Sequence, residues 1–192
     1  MHPKILVFAG SIRTGSSNAR LAARAVKEFL EAGAEVTWIS LVDYSMPICD
    51  GDTAAKSGPP ENAVKLKRLM VTHQGVLIVT PEHNASIPPL LMNTLDWVSR
   101  VRDANEPPLA AFQSGVFAIA SATDRPSGGL YALLSLRQLL AVGCGALVIP
   151  EQITISPASD AFDRMDNLKD ERNKAQLQRV VQQLIETARA LA

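Results

Sequence analysis

The sequence predicts a doubly wound α/β domain on a five-stranded, mostly parallel sheet. Three observations carry this. Short apolar runs of strand length alternate along the chain with segments of helical periodicity. The first run ends in a loop rich in glycine and hydroxyl residues that opens a helix. Five strands separated by helices need right-handed crossovers, which place helices on both faces of one sheet.

Lys4 to Ala9 is an apolar run bounded by a glycine, the pattern of a strand buried on both faces. From Ser16 to Gly33 the residues Leu21, Ala22, Ala25, Val26, Phe29 and Leu30 recur at helical spacing, with Gly33 as the stop. Glu35 to Leu41 reads as the second strand, and Asp43 to Pro60 as a long polar loop interrupted by Pro and Gly. A helix from Pro60 to His73 leads into Gly75 to Thr80, the most strand-like segment and the expected centre of the sheet. Pro88 and Pro89 suit a helix start, and that helix carries Leu90, Leu91, Leu95, Trp97 and Val98. Ser114 to Ser121 is the fourth strand, Leu130 to Val142 the next helix, and Ala146 to Ile149 the fifth strand. A last helix from Asp166 to Ala192 shows Leu177, Val180, Val181, Leu184, Ile185, Ala188 and Leu191 along one stripe. The expected strand order is 2-1-3-4-5, with ligand beyond the carboxyl ends of strands one and three.

Composition narrows the function. At 192 residues the chain is sized for one domain, expected to span 1–192, and can bury a core without disulfides or a structural metal. Nineteen basic and nineteen acidic residues leave no net charge, so no overall field draws in nucleic acid or an anionic membrane surface. Cys49 and Cys144 are far apart and form no CxxC or Cys/His cluster, which argues against a zinc site and for a reducing compartment. The first residues are too short an apolar run for a signal peptide or spanning helix, and the expected location is cytoplasmic.

The chemistry is concentrated in two loops. Gly10-Ser11-Ile12-Arg13-Thr14-Gly15-Ser16-Ser17-Asn18 joins a buried strand to a helix N-terminus, where unpaired backbone N–H groups favour an anion. Ser11, Thr14, Ser16, Ser17 and Asn18 offer side-chain donors and Arg13 a full charge, the ingredients of a phosphomonoester cradle. Helix capping alone would explain the Ser and Asn, but does not call for Arg13 or two glycines. Gly10 to Ser17 nearly matches a triphosphate loop, yet Ser16 stands where its lysine belongs, which disfavours ATP or GTP hydrolysis. The fingerprint GxGxxG is absent, and no acidic residue closes the second strand at Ile39-Ser40 to hold a ribose. Neither cysteine lies in the anion loop, so a cysteine phosphatase is disfavoured as well.

The second loop and its helix read Pro81-Glu82-His83-Asn84-Ala85-Ser86-Ile87-Pro88-Pro89-Leu90-Leu91-Met92-Asn93-Thr94-Leu95-Asp96-Trp97-Val98-Ser99-Arg100. Together with the first loop this resembles the NADPH-dependent FMN reductase family, flavodoxin-like flavoproteins whose second motif runs approximately PEYNxSxPxxLKNxxDWxSR. The resemblance continues through Ser121 to Gly129 and the Leu-Arg-Gln-Leu-Leu run, and so covers almost the whole chain. It implies FMN, with its phosphate on Ser11, Arg13, Ser16, Ser17 and Asn18 and its ring against Pro81, Glu82, His83, Asn84 and Ser86. Asn84 would orient the ring, while Ser121, Gly128 and Gly129 would line its other side. NADPH or NADH would be the reductant, a quinone, free flavin or similar small molecule the acceptor, and the assembly a homodimer or homotetramer. The chemistry would belong to the flavin, with no protein acid or base required.

Two positions depart from the family pattern: His83 replaces its usual tyrosine and Met92 its usual lysine. They motivate a rival reading as a non-catalytic, FMN-binding redox-sensing module; a binder of another phosphorylated metabolite is the third. Arg100, Arg102 and Arg125 are candidates for a 2′-phosphate site, Glu82 for an intersubunit contact, and Trp97 for a core or interface anchor. Asp160 to Lys174 reads as a solvated, charged face.

Overall fold

A computed structural model of the chain describes residues 2–191. Five parallel strands form one sheet: β1 (Lys4–Ala9), β2 (Glu35–Ser40), β3 (Gly75–Val79), β4 (Val116–Ala122) and β5 (Leu147–Ile155), in the order β2-β1-β3-β4-β5. This is the expected order. The helices are α1 (Ser17–Glu31), α2 (Gly51–Ser57), α3 (Glu61–Thr72), α4 (Pro89–Ser99), α5 (Ala110–Gln113), α6 (Leu130–Arg137) and α7 (Glu171–Ala190).

Alternation along the strands separates two cores. On β1, Ile5 and Val7 face a cluster that includes Leu21 and Phe29 of α1 and Leu177 and Leu184 of α7. Leu6 and Phe8 face the opposite cluster, with Leu66 of α3, Leu91 of α4 and Leu136 of α6. Because β1, β3 and β4 are covered on both sides, their sequences read as continuous apolar runs. Edge strand β2 is half exposed and includes the outward Trp38.

Differences from expectation have local causes. The loop after β2 holds a 3₁₀ turn (Leu41–Tyr44) and helix α2, which Asp50 caps by accepting the Thr53 N–H at 2.9 Å. Strand β5 continues past Pro150 to Ile155, with a bulge against β4 between Phe117 and Ile119. An edge strand tolerates this proline because one side of its backbone has no strand partner. The helix begun by α6 widens into a π-helical turn at Gln138–Gly143. The last helix starts at Glu171 rather than Asp166, because Asp163 accepts the Met165 and Asn167 amides and holds the preceding segment as a loop. Arg20 of α1 reaches that loop, pairing with Asp166 at 2.5 Å and lying over the Phe162 ring.

The family-like helix α4 anchors the chain between β2 and α3. Trp97 is fully buried and its Nε1 donates to the Pro47 carbonyl at 2.7 Å. Asn93 donates to the same carbonyl at 2.9 Å and accepts the Cys49 N–H at 2.7 Å. Trp97 is thus a core anchor of its own chain. Met92 packs its apolar side chain on the core beneath α4.

Candidate functional site

A cleft of about 710 Å³ opens beyond the carboxyl ends of β1, β3 and β4, where the loops following these strands converge. Its first wall is the Gly10–Asn18 loop. Gly10 extends the ladder by donating to the Val79 carbonyl at 2.8 Å, and the chain then turns through Gly15 at a φ of 68°. That left-handed conformation favours glycine. The Ser16 N–H closes the turn on the Arg13 carbonyl at 3.1 Å, and Arg20 makes the first intrahelical bond of α1, to Ser16, at 3.0 Å. The amides of Ser17, Asn18 and Ala19 come before that bond, so the helix presents unpaired donors here. Ser16 lies at the N-cap but its hydroxyl makes no cap bond to the helix, which leaves it available to a ligand. Ser11, Arg13, Ser16 and Ser17 all line this wall.

Asn18 also reaches the cleft, but its amide is engaged elsewhere. Its Nδ2 donates to the Ala122 carbonyl and its Oδ1 accepts the Ala122 N–H, both at 2.9 Å. This pair of bonds locks the Gly10–Asn18 loop to the end of β4. The Asn18 side chain is therefore a positioning clamp between the start of α1 and the end of β4.

The second wall is Pro81, Glu82 and His83, followed by Pro88, Pro89 and Leu90 at the start of α4. His83 and Ser86 exchange backbone bonds of 2.9 Å in a two-residue hairpin whose tip is Asn84 and Ala85, with φ of 48° and 59°. Two successive positive φ values are the signature of a type I′ turn, for which asparagine is suited. Asn84 is exposed at this tip, outside the cleft lining, and the Ser86 hydroxyl bonds to that of Ser135 at 3.0 Å. Glu82 is committed within its own chain: its carboxylate accepts the Ser127 hydroxyl at 3.1 and 3.2 Å and the Tyr131 N–H at 3.2 Å.

The third wall is Ala122, Thr123, Asp124 and Arg125. Ser121, Gly128 and Gly129, expected at the cofactor, lie behind it. Ser121 is fully buried and donates to the Thr80 carbonyl at 2.6 Å. Gly129 packs so closely that an added Cβ would fall 1.9 Å from the Ser121 hydroxyl oxygen, which explains glycine there. The shift comes from the strand end, since β4 runs to Ala122 and the exposed turn begins one residue later than the sequence suggests. The Ser159 N–H, donating at 2.7 Å, holds the Asp124 carboxyl below the ordinary aspartate range. Arg125 faces the cleft, whereas Arg100 and Arg102 bond to the carbonyls of Asp96 and Glu106 outside it.

These walls suit a phosphorylated flavin. Amide donors, hydroxyls and Arg13 gather on one wall, and Pro81, Pro88, Pro89 and Leu90 line another. Among the described residues no cluster of His, Cys, Asp and Glu could hold a metal, and no helix is long and apolar enough to cross a membrane.

The sequence model of the NADPH-dependent FMN reductase family matches residues 3–160. An NAD(P)H-dependent FMN reductase from Pseudomonas aeruginosa is 31% identical over 183 residues, covering 94% of this chain and 92% of that protein. A quinone reductase from Escherichia coli is 36% identical over 101 residues, 52% of each chain. Among solved structures, FerB, a flavoenzyme NAD(P)H:(acceptor) oxidoreductase from Paracoccus denitrificans, has the same fold, with a TM-score of 0.80, 22% identity and 98% of both chains covered. A family match over most of the chain, with one relative aligned nearly end to end, establishes that this chain belongs to the NADPH-dependent FMN reductase family of oxidoreductases.

Proposed function

We propose that the chain is an NAD(P)H-dependent flavin enzyme that passes electrons to quinones, free flavin or similar small molecules in a ping-pong cycle. The observation that carries this reading is a cleft that joins a loop of unpaired amides, hydroxyls and Arg13 to a wall of Pro81, Pro88, Pro89 and Leu90 at the switch point between β1 and β3. Ser11, Ser16, Ser17 and Arg13 bind the FMN phosphate with the first amides of α1, and the Asn18 clamp fixes their spacing to β4. Pro81 to His83 and Ala122 to Arg125 flank the ring. Bound FMN supplies the hydride acceptance and electron delivery. The protein's part is to orient the ring with backbone N–H and C=O groups and to leave one opening that reductant and acceptor use in turn. A cytoplasmic location, one domain over 1–192 and a homodimer or homotetramer complete the reading.

The test is a visible spectrum of the protein before and after incubation with FMN, followed by anaerobic NADPH in the same cuvette. Flavin absorbance is expected to bleach and to return on adding a quinone. Absorbance that neither NADPH nor NADH bleaches would replace the enzyme with the redox-sensing module, and absence of flavin binding would remove the cofactor from the reading.

A further inference from the structure

A second cleft, of about 570 Å³, opens on the other side of the phosphate loop over the carboxyl ends of β1 and β2. It shares Ser11 with the flavin cleft and is lined also by Trp38, Asp43, Tyr44, Asn62 and Lys65. Trp38 is 53% exposed, so a large aromatic face stands in water at the rim of a polar cavity. Such a face is a stacking platform for a planar heterocycle. Asp43 sits in the turn after β2, three residues past the strand's last residue, Ser40. An acidic group at the end of the second strand is how doubly wound sheets hold a ribose hydroxyl. The sequence shows none at Ile39-Ser40; the turn brings one in from further along the chain. Lys65 pairs with Glu61 at 2.7 Å on an exposed helix face, a weak contact that a phosphate can replace.

We propose that this cleft binds the adenine-nucleotide half of a dinucleotide, with the base on Trp38, a ribose hydroxyl on Asp43 and phosphate toward Lys65. The site lies beyond the flavin cleft and does not require FMN to be resident. Two sources share this chemistry, the pyridine-nucleotide reductant and FAD. Because a carboxylate repels a 2′-phosphate, ADP binds more tightly than adenosine 2′,5′-bisphosphate.

The test is equilibrium dialysis of labelled ADP against the full chain, both flavin-free and saturated with FMN. One ADP per chain is expected in the FMN-saturated protein, weakened by at least about tenfold in Trp38→Ala. Asp43→Asn narrows the preference for ADP over the 2′,5′-bisphosphate. Both side chains are exposed, and unchanged FMN binding in the variants reports an intact fold. ADP should also quench indole fluorescence in the parent chain but not in Trp38→Phe, whose remaining Trp97 is buried. Displacement of ADP by NAD⁺ assigns the site to the reductant; loss of ADP binding after reconstitution with FAD assigns it to a flavin dinucleotide. Four outcomes overturn the proposal: no ADP binding, ADP binding undiminished in Trp38→Ala, binding abolished by FMN, or displacement by neither dinucleotide. None of these bears on whether NADPH bleaches bound FMN, so the two readings fail separately.

Discussion

Arg13 and Asn18 lie on one loop and look alike as donors in the sequence, yet the structure places them differently. Arg13 is exposed on the cleft wall, while Asn18 is buried and bonded through both ends of its amide to Ala122. If Arg13 holds the FMN phosphate as proposed, Arg13→Ala removes a charge-assisted contact of about 1.5–3 kcal/mol. FMN should therefore bind roughly tenfold to a hundredfold more weakly, with riboflavin binding unchanged because it has no phosphate. Calorimetric titration of flavin-free protein with both flavins checks this; equal losses would place Arg13 away from the phosphate. The duty of Asn18 was not legible from composition or spacing, because its partner is 104 residues away and any asparagine at a helix start reads as a cap or a ligand. His83, which replaces the family's tyrosine, does line the cleft, whereas Met92, which replaces its lysine, belongs to the packing beneath α4.

At the level of elements, the loops are held by contacts that link the ends of strands to the starts of helices. Helix α6 begins after Gly129, with no side-chain cap from its own N-cap residue, and Glu82 from the loop after β3 supplies the acceptor instead. Glu82→Ala leaves the Tyr131 N–H without this partner and frees Ser127. The expected result is faster hydrogen exchange at Tyr131 and across residues 123–129, and a loss of about 1 kcal/mol, a fall in Tm of about 2–4 °C. Unchanged exchange at Tyr131 would show that the Glu82 contact does not hold the helix start. The strands that were plain in the sequence, β1 and β3, are those buried on both faces, where apolar runs are uninterrupted. What escaped it depended on partners: α2 lies among glycines and prolines that read as loop, and the continuation of β5 beyond Ile149 passes a proline that an edge position allows. The cleft was foreseen from strand order, but its third wall was placed slightly off because the end of β4 is set by pairing with β5.

On the scale of the whole molecule, the family match ends at residue 160, whereas one of the two cores depends on a helix beyond that point. Helix α7 buries Leu177, Val180, Val181, Leu184, Ile185 and Ala188 against the sheet face also covered by α1. Burial of a large aliphatic side chain contributes about 1.5–3 kcal/mol, so these six together amount to on the order of 10 kcal/mol. That is as large as the whole stability of a typical domain, about 5–15 kcal/mol. A chain ending at Asp170 should therefore fail to fold, although every residue lining the flavin cleft is retained. A milder change isolates the packing. Leu184 lies over Gly75, where an added Cβ would come within 3.4 Å of its side chain. Leu184→Ala should cost about 2–5 kcal/mol in urea unfolding, through lost contacts and the cavity left behind. FMN affinity at low temperature should stay at the parent value, because α7 contributes no residue to the cleft. If Leu184→Ala weakens FMN binding as much as it lowers stability, the two faces of the sheet are coupled and the cleft is not an independent feature of the strand ends. If only stability falls, the sheet transmits nothing from its α7 face, and the flavin site rests on β1, β3, β4 and their loops.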